Sequence, residues 1–197
     1  FSGRFTQNEC AIELAPLCKA CGVDLMIGEI ATLKAISRKV QLLDKRELEY
    51  DYLSLNVGSV PPHPSLNDGS INVAPAKPFA AFNNHWQAWR GHNDPIQIAI
   101  LGGGAAAFEL ALALHQSLPQ AQLSLICSGD LLDGYSLGLR KRASKILYTR
   151  GIDLRTGTRV DCITDGWLLS NKQRIQRPDA LVIAPGDAPQ PWTSASC

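Results

Sequence analysis

Hydrophobic and polar residues alternate just before the middle of the chain and then give way to a helical pattern. Ile96, Ile98 and Ile100 are spaced as in a strand that faces a core. Three glycines follow, and after them alanine and leucine residues continue to Leu114. This order predicts a strand, a tight glycine turn and a helix. Glycine and Glu109 interrupt the run too much for a membrane-spanning helix.

The same succession of strands and helices continues toward the C-terminus. A strand is predicted over 122–127, a helix from Ser136 to just before Gly151, and a last apolar strand over 180–184. Three short strands are expected between this helix and the last strand, at 152–155, 159–163 and 166–169, with Thr164-Asp165-Gly166 as a hairpin turn. This order predicts an α/β fold, a doubly wound Rossmann-like nucleotide-binding domain with an inserted β-meander.

The first 59 residues follow a different pattern. Thr6-Gln7-Asn8-Glu9 has the spacing of a capping box and predicts an apolar helix that ends at Gly22, with Pro16 expected to kink or shorten it. Four strands are then expected, at 24–33, 39–43, 47–50 and 52–56. This part therefore predicts one helix followed by a small β-structure.

A segment rich in proline, asparagine, serine and glycine separates the two halves. It covers 60–77, has no apolar period and is typical of a connector. A helix is predicted after it, from about Pro78 to Arg90. One face of that helix carries four aromatic residues, which indicates a core or interdomain position: Phe79, Phe82, Trp86 and Trp89.

Composition and charge exclude several functions. The formal net charge is +1, so no strong field favours nucleic acid or a membrane surface as partner. No N-terminal signal or transmembrane segment is recognised, and the six scattered cysteines suit reduced thiols in a cytoplasmic protein. Cys18-Lys19-Ala20-Cys21 lacks a second cysteine pair or paired histidines, so core filling is favoured over a redox or zinc site and no metal site is predicted. Because the chain begins at Phe1 in what reads as continuous sequence, a piece of a longer protein is expected.

The pattern Gly102-x-Gly104-x-x-Ala107 indicates a cradle for a dinucleotide pyrophosphate. Gly102 permits the tight turn, Gly104 lets the backbone approach the phosphates, and Ala107 keeps the helix close to the strand. The free N–H groups and the positive end of the helix dipole then face the negative charge. A parallel α/β unit whose glycine turn holds no ligand is the alternative.

Four segments carry a family resemblance in their order and spacing: YDYLSLNVGS at 50–59, Lys77-Pro78, LGGGAAAFELA at 101–111 and DALVIAPGDAP at 179–189. Together they resemble the flavin-dependent pyridine nucleotide-disulfide oxidoreductases, and within them the type II NADH dehydrogenase-like branch. The opening segment over 1–25, FSGRFTQNECAIELAPLCKACGVDL, is similar to the branch associated with selenide-water dikinases. The resemblance covers nearly the whole chain. It implies a partial FAD-domain segment over 1–59, a linker over 60–76 and an NAD(P)-binding domain over 77–192.

The resemblance also implies where cofactors bind. The NAD(P)H pyrophosphate turn would consist of Gly102, Gly103, Gly104 and Ala107. Glu109, Pro185 and Gly186 would lie near the nicotinamide, although Glu109 can equally be a carboxylate on the first helical turn that the dipole stabilises. The residues near FAD in an intact protein would be Ile30, Asn56, Val57 and Gly58.

Two FAD-binding segments of the family have no counterpart in the chain: the N-terminal G-x-G-x-x-G and the later Gly-Asp segment. The flavin part is therefore expected to lack its main FAD-binding segments and to expose apolar surface unless something covers it. No redox-active disulfide is expected. Hydride transfer would be chemistry of the flavin and nicotinamide, so no catalytic residue is assigned.

The coenzyme-selecting position departs from the pattern that favours NAD. A carboxylate about 20 residues past the glycines accepts the ribose hydroxyls in an NAD site, but here this position is Cys127. Ser128 can supply one hydrogen bond and Asp130 can reach if the loop folds back; a buried hydroxyl without a partner weakens affinity by about 1–3 kcal/mol. No arginine lies directly there, so NAD and NADP both stay open.

The next helix carries basic residues that could meet an extra phosphate, but a solvated face is favoured: Arg140, Lys141, Arg142, Lys145 and Arg150.

The leading prediction is the NAD(P)H-binding portion of an FAD-dependent oxidoreductase that passes hydride from NAD(P)H to FAD, with the isolated chain inactive. Its partners would be NAD(P)H and the missing flavin-domain parts, in a monomer or a homo-oligomer. One alternative is a degenerate, non-catalytic nucleotide-binding or protein-interaction module, in which Ala107 and Cys127 record the loss of coenzyme use. Another is a domain that holds a different adenine nucleotide in the same cradle.

Overall fold

A computed structural model describes residues 1–6, 8–59, 69–92, 94–184, 186 and 192. The chain divides into two compact units. The larger unit is formed by Phe1–Arg4 and Pro61–Asp187, and the smaller by Phe5–Val60 and Ala188–Cys197.

The smaller unit contains one α-helix and a three-stranded antiparallel sheet. The helix α1 covers Leu14–Cys21, and the strands β1 (Ile30–Lys34), β2 (Lys39–Leu42) and β3 (Glu47–Glu49) pair in the order β1-β2-β3. Val40 and Leu42 are its buried apolar residues. The helix α1 itself buries no side chain, so the expectation that Cys18 and Cys21 fill a core was wrong.

The capping box is present, but it opens a shorter element than predicted. The Thr6 amide donates to Glu9 Oε2 at 2.7 Å, and the Glu9 amide donates to Thr6 Oγ1 at 3.3 Å. These bonds start a 3-10 helix over Asn8–Cys10, and α1 begins only at Leu14. Pro16 explains the gap, because its ring disfavours continuous helix before it and is tolerated within a first turn. Both helix and strands before residue 60 are thus shorter than predicted.

The strand predicted over 52–56 does not form, and neither does the first part of the strand predicted over 24–33. Both segments have strand-like apolar residues, but no described segment pairs with them. A strand needs a hydrogen-bonded neighbour, which the pattern of one segment does not supply. Several of their apolar side chains are exposed: Leu25, Ile27, Tyr52, Leu53 and Leu55.

The larger unit is built around a parallel sheet of five strands in the order β4-β11-β5-β6-β7. Its elements are β4 (Asn72–Pro75), α2 (Phe79–Arg90), β5 (Gln97–Leu101), α3 (Ala105–Ser117), β6 (Gln122–Ile126), α4 (Leu137–Thr149), β7 (Asp153–Arg155), β8 (Cys162–Thr164), β9 (Trp167–Ser170), β10 (Gln173–Gln176) and β11 (Ala180–Ile183). The strands β8, β9 and β10 form an antiparallel meander. The predicted α/β doubly wound fold with an inserted meander is confirmed.

Two strands of this unit were not predicted. The edge strand β4 lies in the segment expected to be a connector, where it pairs in parallel with β11. The strand β10 has mainly polar residues and follows a turn at Asn171 and Lys172, both with positive φ. Neither strand has a strong alternation of apolar residues. The strand β4 depends on pairing with the distant strand β11, and β10 depends on pairing with the adjacent strand β9. The domain boundaries themselves stay a prediction.

The five-stranded sheet is covered on its two faces by different layers. Ile98 and Ile100 face the helices, whereas Ala99 and Leu101 face the meander and pack with Leu168. Two hydrogen bonds also join the meander to the parallel sheet. Ser124 Oγ donates to Gln176 Oε1 at 2.9 Å, and Arg155 Nη1 donates to the Ile175 carbonyl at 2.8 Å. Alternation along one strand thus builds a three-layer core.

The aromatic face of α2 packs in the larger unit. Phe82, Trp86 and Trp89 are buried, whereas Phe79 is 64% exposed. The ring of Phe1 lies 4.8 Å from that of Phe82, centroid to centroid. Three of the four aromatic residues on this face therefore belong to the core.

Candidate nucleotide-binding site

The glycine turn lies at the carboxyl end of β5, the central strand of the five-stranded parallel sheet. From β5 the chain crosses to β6 on one side, and β11 pairs on the other side. The Gly102 amide donates to the Ile126 carbonyl at 3.0 Å, and the Ala184 amide donates to the Leu101 carbonyl at 2.9 Å. Ligands of open α/β sheets bind where the strand order reverses in this way.

Gly102 sits where three backbone segments converge. Its φ is +147°, and a Cβ built on it would lie 2.4 Å from the Ala184 carbonyl oxygen and 2.9 Å from the Cβ of Ala107. Ala107 is fully buried. A side chain at position 102 would therefore separate β5, α3 and the end of β11.

Gly103 is held by the loop that follows β6. A Cβ on it would lie 3.1 Å from the Asp130 carbonyl oxygen and 3.3 Å from the Cβ of Cys127. Its own carbonyl accepts a hydrogen bond from the Leu132 amide at 2.6 Å. These contacts fix the path of the turn before it reaches α3.

Gly104 opens α3 and faces free space. It is exposed, its φ is −85° and ψ 179°, and a Cβ on it would meet no atom of the described residues within 4 Å. The first turn of α3, Ala105–Phe108, has no acidic side chain. The first N–H groups of a helix lack intrahelical partners and carry the positive end of the dipole. The corner can therefore accept an anion such as a diphosphate.

Glu109 lies on the second turn of α3, because the helix begins at Ala105. The expectation that it sits on the first turn was wrong by one residue, and the helix dipole acts mainly within that turn. Glu109 is exposed and borders a groove of about 390 Å³ between α3 and α4. The other lining residues are mostly apolar: Ala105, Phe108, Leu132, Tyr135, Leu139, Arg142, Ala143 and Ile146.

The other residues expected near cofactors are distributed over both units. Gly186 is exposed just after the end of β11, and Pro185 lies outside the described residues. Ile30 is half-buried in β1, opposite Leu42. Asn56, Val57 and Gly58 are exposed in the smaller unit. Their cofactor roles stay predictions.

Cys127 follows β6 and turns toward the glycine turn. Its side chain is fully buried, and its thiol donates to the Gly102 carbonyl at 3.4 Å. Burial raises the pKa of the Cys127 thiol to about 11. The side chain at the position expected to meet the ribose is thus neutral and directed into the protein.

The exposed loop after Cys127 is joined to two other parts of the larger unit. The Gly157 amide donates to the Gly129 carbonyl at 3.0 Å, and the Thr158 amide to the Cys127 carbonyl at 2.8 Å. The Asp130 carboxylate forms an ion pair with the Arg140 guanidinium. Arg140 is thus engaged with the loop, although a solvated basic face was expected. Arg140 and Asp130 are ten residues apart in the sequence, so no local pattern predicted this contact.

The described residues offer neither a metal-ligand cluster nor a helix suited to cross a bilayer. No group of three or more His, Cys, Asp or Glu side chains in the described ranges is placed to hold a metal ion. Among the described helices, none combines the length and apolar character that a bilayer crossing requires.

Comparison with known proteins gives consistent matches. A family model described as pyridine nucleotide-disulphide oxidoreductase matches residues 10–194. Ferroptosis suppressor protein 1 of Taeniopygia guttata is 26% identical over 138 residues, which is 69% of this chain and 36% of that protein. The chain therefore spans about a third of the length of this curated relative.

Solved structures with low sequence identity share the fold. The putidaredoxin reductase–putidaredoxin complex matches with a TM-score of 0.81 and 18% identity, covering 99% of this chain and 49% of that chain. Water-forming NADH oxidase from Lactobacillus brevis, bound to NADH, matches with a TM-score of 0.75 and 17% identity, covering 94% and 43%. The chain spans less than half of either structure.

Proposed function

Because the chain belongs to the pyridine nucleotide-disulphide oxidoreductase family, we propose that it is the NAD(P)H-binding portion of an FAD-dependent oxidoreductase. When bound, NAD(P)H supplies a hydride and FAD accepts it. The protein's own part is to bind and orient the two groups. The proposal includes a cytoplasmic location, and the remaining flavin-domain segments of the same protein as partner.

The open corner at Gly104 carries this proposal. It combines a converging backbone at Gly102, unobstructed space at Gly104 and a helix start without acidic side chains. In the proposal, Gly102, Gly103 and Gly104 form the turn that holds the pyrophosphate, and Ala107 keeps α3 close to β5. The residues Glu109, Pro185 and Gly186 are proposed to border the nicotinamide.

The smaller unit supports only the edge of a flavin site. Its described residues contain no strand that leads through a glycine turn into a helix, which is the usual grip on a cofactor diphosphate. The residues proposed to lie near FAD are Ile30, Asn56, Val57 and Gly58. The exposed apolar side chains around Val23 and Leu55 fit a unit that further chain covers. The isolated chain is therefore proposed to be inactive.

A non-catalytic nucleotide-binding or protein-interaction module is the second candidate, and Cys127 favours it. This residue stands where an NAD site has a carboxylate, and its thiol is buried against Gly102. The side chain at the strand end thus offers nothing to a ribose hydroxyl. A protein that had lost coenzyme binding would tolerate Cys127 at this position, because the residue still packs inside the fold.

Titration of the purified chain with NADH and with NADPH, followed by nucleotide fluorescence, tests the proposal. Saturation at micromolar to low-millimolar coenzyme supports it. The absence of any response to either coenzyme contradicts it and favours an interaction module. A second measurement adds free FAD and an electron acceptor to the coenzyme complex, and the proposal expects no NAD(P)H oxidation by the isolated chain.

A further inference from the structure

The end of β6 lacks a carboxylate that points outward. A dinucleotide site that prefers NAD has such a carboxylate for the ribose hydroxyls, whereas an arginine nearby accommodates the 2′-phosphate of NADP. Here the residue after β6 is Cys127, whose side chain is fully buried and whose thiol donates to the Gly102 carbonyl. Ser128 is exposed beside it and can supply one hydroxyl.

The carboxylate of the loop after β6 is already paired with a cation. Asp130 is the only acidic residue between Cys127 and Leu132. Its carboxylate binds the guanidinium of Arg140, and its backbone carbonyl packs against Gly103. A carboxylate that shares its charge with an arginine is a poorer acceptor for a ribose hydroxyl than a free one.

Arg140 is anchored from α4 onto the loop after β6. Its Nη2 binds Asp130, and its Nε donates to the Leu131 carbonyl at 3.3 Å. A guanidinium has five N–H donors in a planar fork that matches phosphate oxygens. Two of the five are used by these described partners, so the others can bind an anion that arrives beside Ser128.

A second cation borders the same loop. The Thr158 amide donates to the Cys127 carbonyl, which brings the next residue, Arg159, close to the end of β6. The Arg159 side chain is 83% exposed, and its Nε is 3.9 Å from Asp161 Oδ1. Such a long, exposed ion pair holds the side chain weakly, so Arg159 is free to turn toward a phosphate.

We propose that the loop after β6 recognises an adenosine ribose that carries a 2′-phosphate, with Arg140 as the residue that selects it. The proposal rests on the proposed function and adds the identity of the coenzyme, NADPH in preference to NADH. Arg159 and Ser128 complete the site. Cys127 contributes by leaving the strand end uncharged, because a carboxylate there would repel the phosphate.

Equilibrium binding to the purified chain tests the selection without any turnover. NADPH and NADH are titrated separately, and 2′,5′-ADP and 5′-AMP are used as competitors that differ by the 2′-phosphate alone. The chain is expected to bind NADPH at least threefold more tightly than NADH, and 2′,5′-ADP more tightly than 5′-AMP. The variant Arg140→Ala is expected to weaken NADPH binding about tenfold, since it removes a charge-assisted contact, while NADH binding should not weaken, because the Asp130 carboxylate is then free to accept from the ribose hydroxyls.

Lys141→Ala is the matched control, because it removes the same charge from the next, exposed position of α4. It should leave both affinities within twofold, and thermal melting should show that both variants fold. Tighter binding of NADH than of NADPH would overturn the inference and leave the proposed function intact, as would an Arg140→Ala chain with unchanged NADPH affinity. Failure to bind either coenzyme would contradict the proposed function as well.

Discussion

Gly102 and Ala184 lie so close together that a Cβ on Gly102 would be 2.4 Å from the Ala184 carbonyl oxygen. This approach joins the carboxyl ends of β5 and β11, the two strands between which the sheet order reverses. It depends on a residue without a side chain and with positive φ. The next corner of the turn, at Gly104, is exposed to solvent.

The substitution Gly102→Ala should destabilise the larger unit. A Cβ with φ of +147° is strained, and it would also displace the Ala184 carbonyl or the Cβ of Ala107. The free energy of unfolding should fall by about 2–5 kcal/mol. Denaturant unfolding measures this change. Gly104→Ala is the control with open space around it, and an equal loss in both variants would contradict the close approach.

The buried aromatic residues of α2 should contribute more to stability than the exposed one. Phe82→Ala should lower the free energy of unfolding by about 3–5 kcal/mol, because the ring is fully buried and its removal leaves a cavity. Phe79→Ala, on the same helix, removes a mostly exposed ring and should cost less than about 1 kcal/mol. Similar losses in the two variants, measured by denaturant unfolding, would show that the ring of Phe79 is also buried.

The thiol of Cys127 should make stability fall in alkaline solution. Burial raises its pKa from an ordinary 9.0 to about 11, so the folded thiol stays neutral where an unfolded one ionises. Its contribution is therefore complete below about pH 9 and is lost as the pH rises through about 11. Unfolding curves of the native chain and of Cys127→Ala between pH 8 and 11 measure this term.

The expected result is a steeper loss of stability with rising pH in the native chain than in Cys127→Ala. Thiol labelling gives a second check: the exposed Cys10 and Cys21 should react in the native state, whereas Cys127 should react only after unfolding. Equal pH slopes together with rapid labelling of Cys127 would contradict its buried position.

The strand–glycine–helix unit could be predicted because its information is local. Alternation along β5, the glycines and the alanine-rich start of α3 lie within about twenty consecutive residues, and each favours the same structure. Ser136 is a similar case, since its hydroxyl accepts a hydrogen bond from the Leu139 amide at 3.4 Å and starts α4 as predicted. The fold class followed from such units.

The remaining features depend on contacts between distant residues. The strand over 52–56 failed because a pattern does not reveal whether a neighbour is present, and β4 was missed because its partner β11 is more than a hundred residues away. The contact between Arg140 and Asp130 depends on how α4 docks against the loop after β6. Glu109 was misplaced by one helical position, which the exact start of α3 decides.

The amides at the start of α3 are proposed to receive a negatively charged diphosphate. Gly104 allows a direct test, because its backbone conformation is that of an ordinary N-cap and its surroundings are open. An aspartate there can cap α3 by accepting hydrogen bonds from the first-turn amides. It would occupy the donors that the diphosphate needs and would add a negative charge, with little effect on stability.

The decisive measurement is the affinity of the purified chain, Gly104→Ala and Gly104→Asp for the coenzyme that the native chain binds more tightly. The native chain should bind, Gly104→Ala should stay within about threefold of it, and Gly104→Asp should bind at least tenfold more weakly at an unchanged melting temperature. Equal affinity of Gly104→Asp and the native chain, with both folded, would contradict the claim.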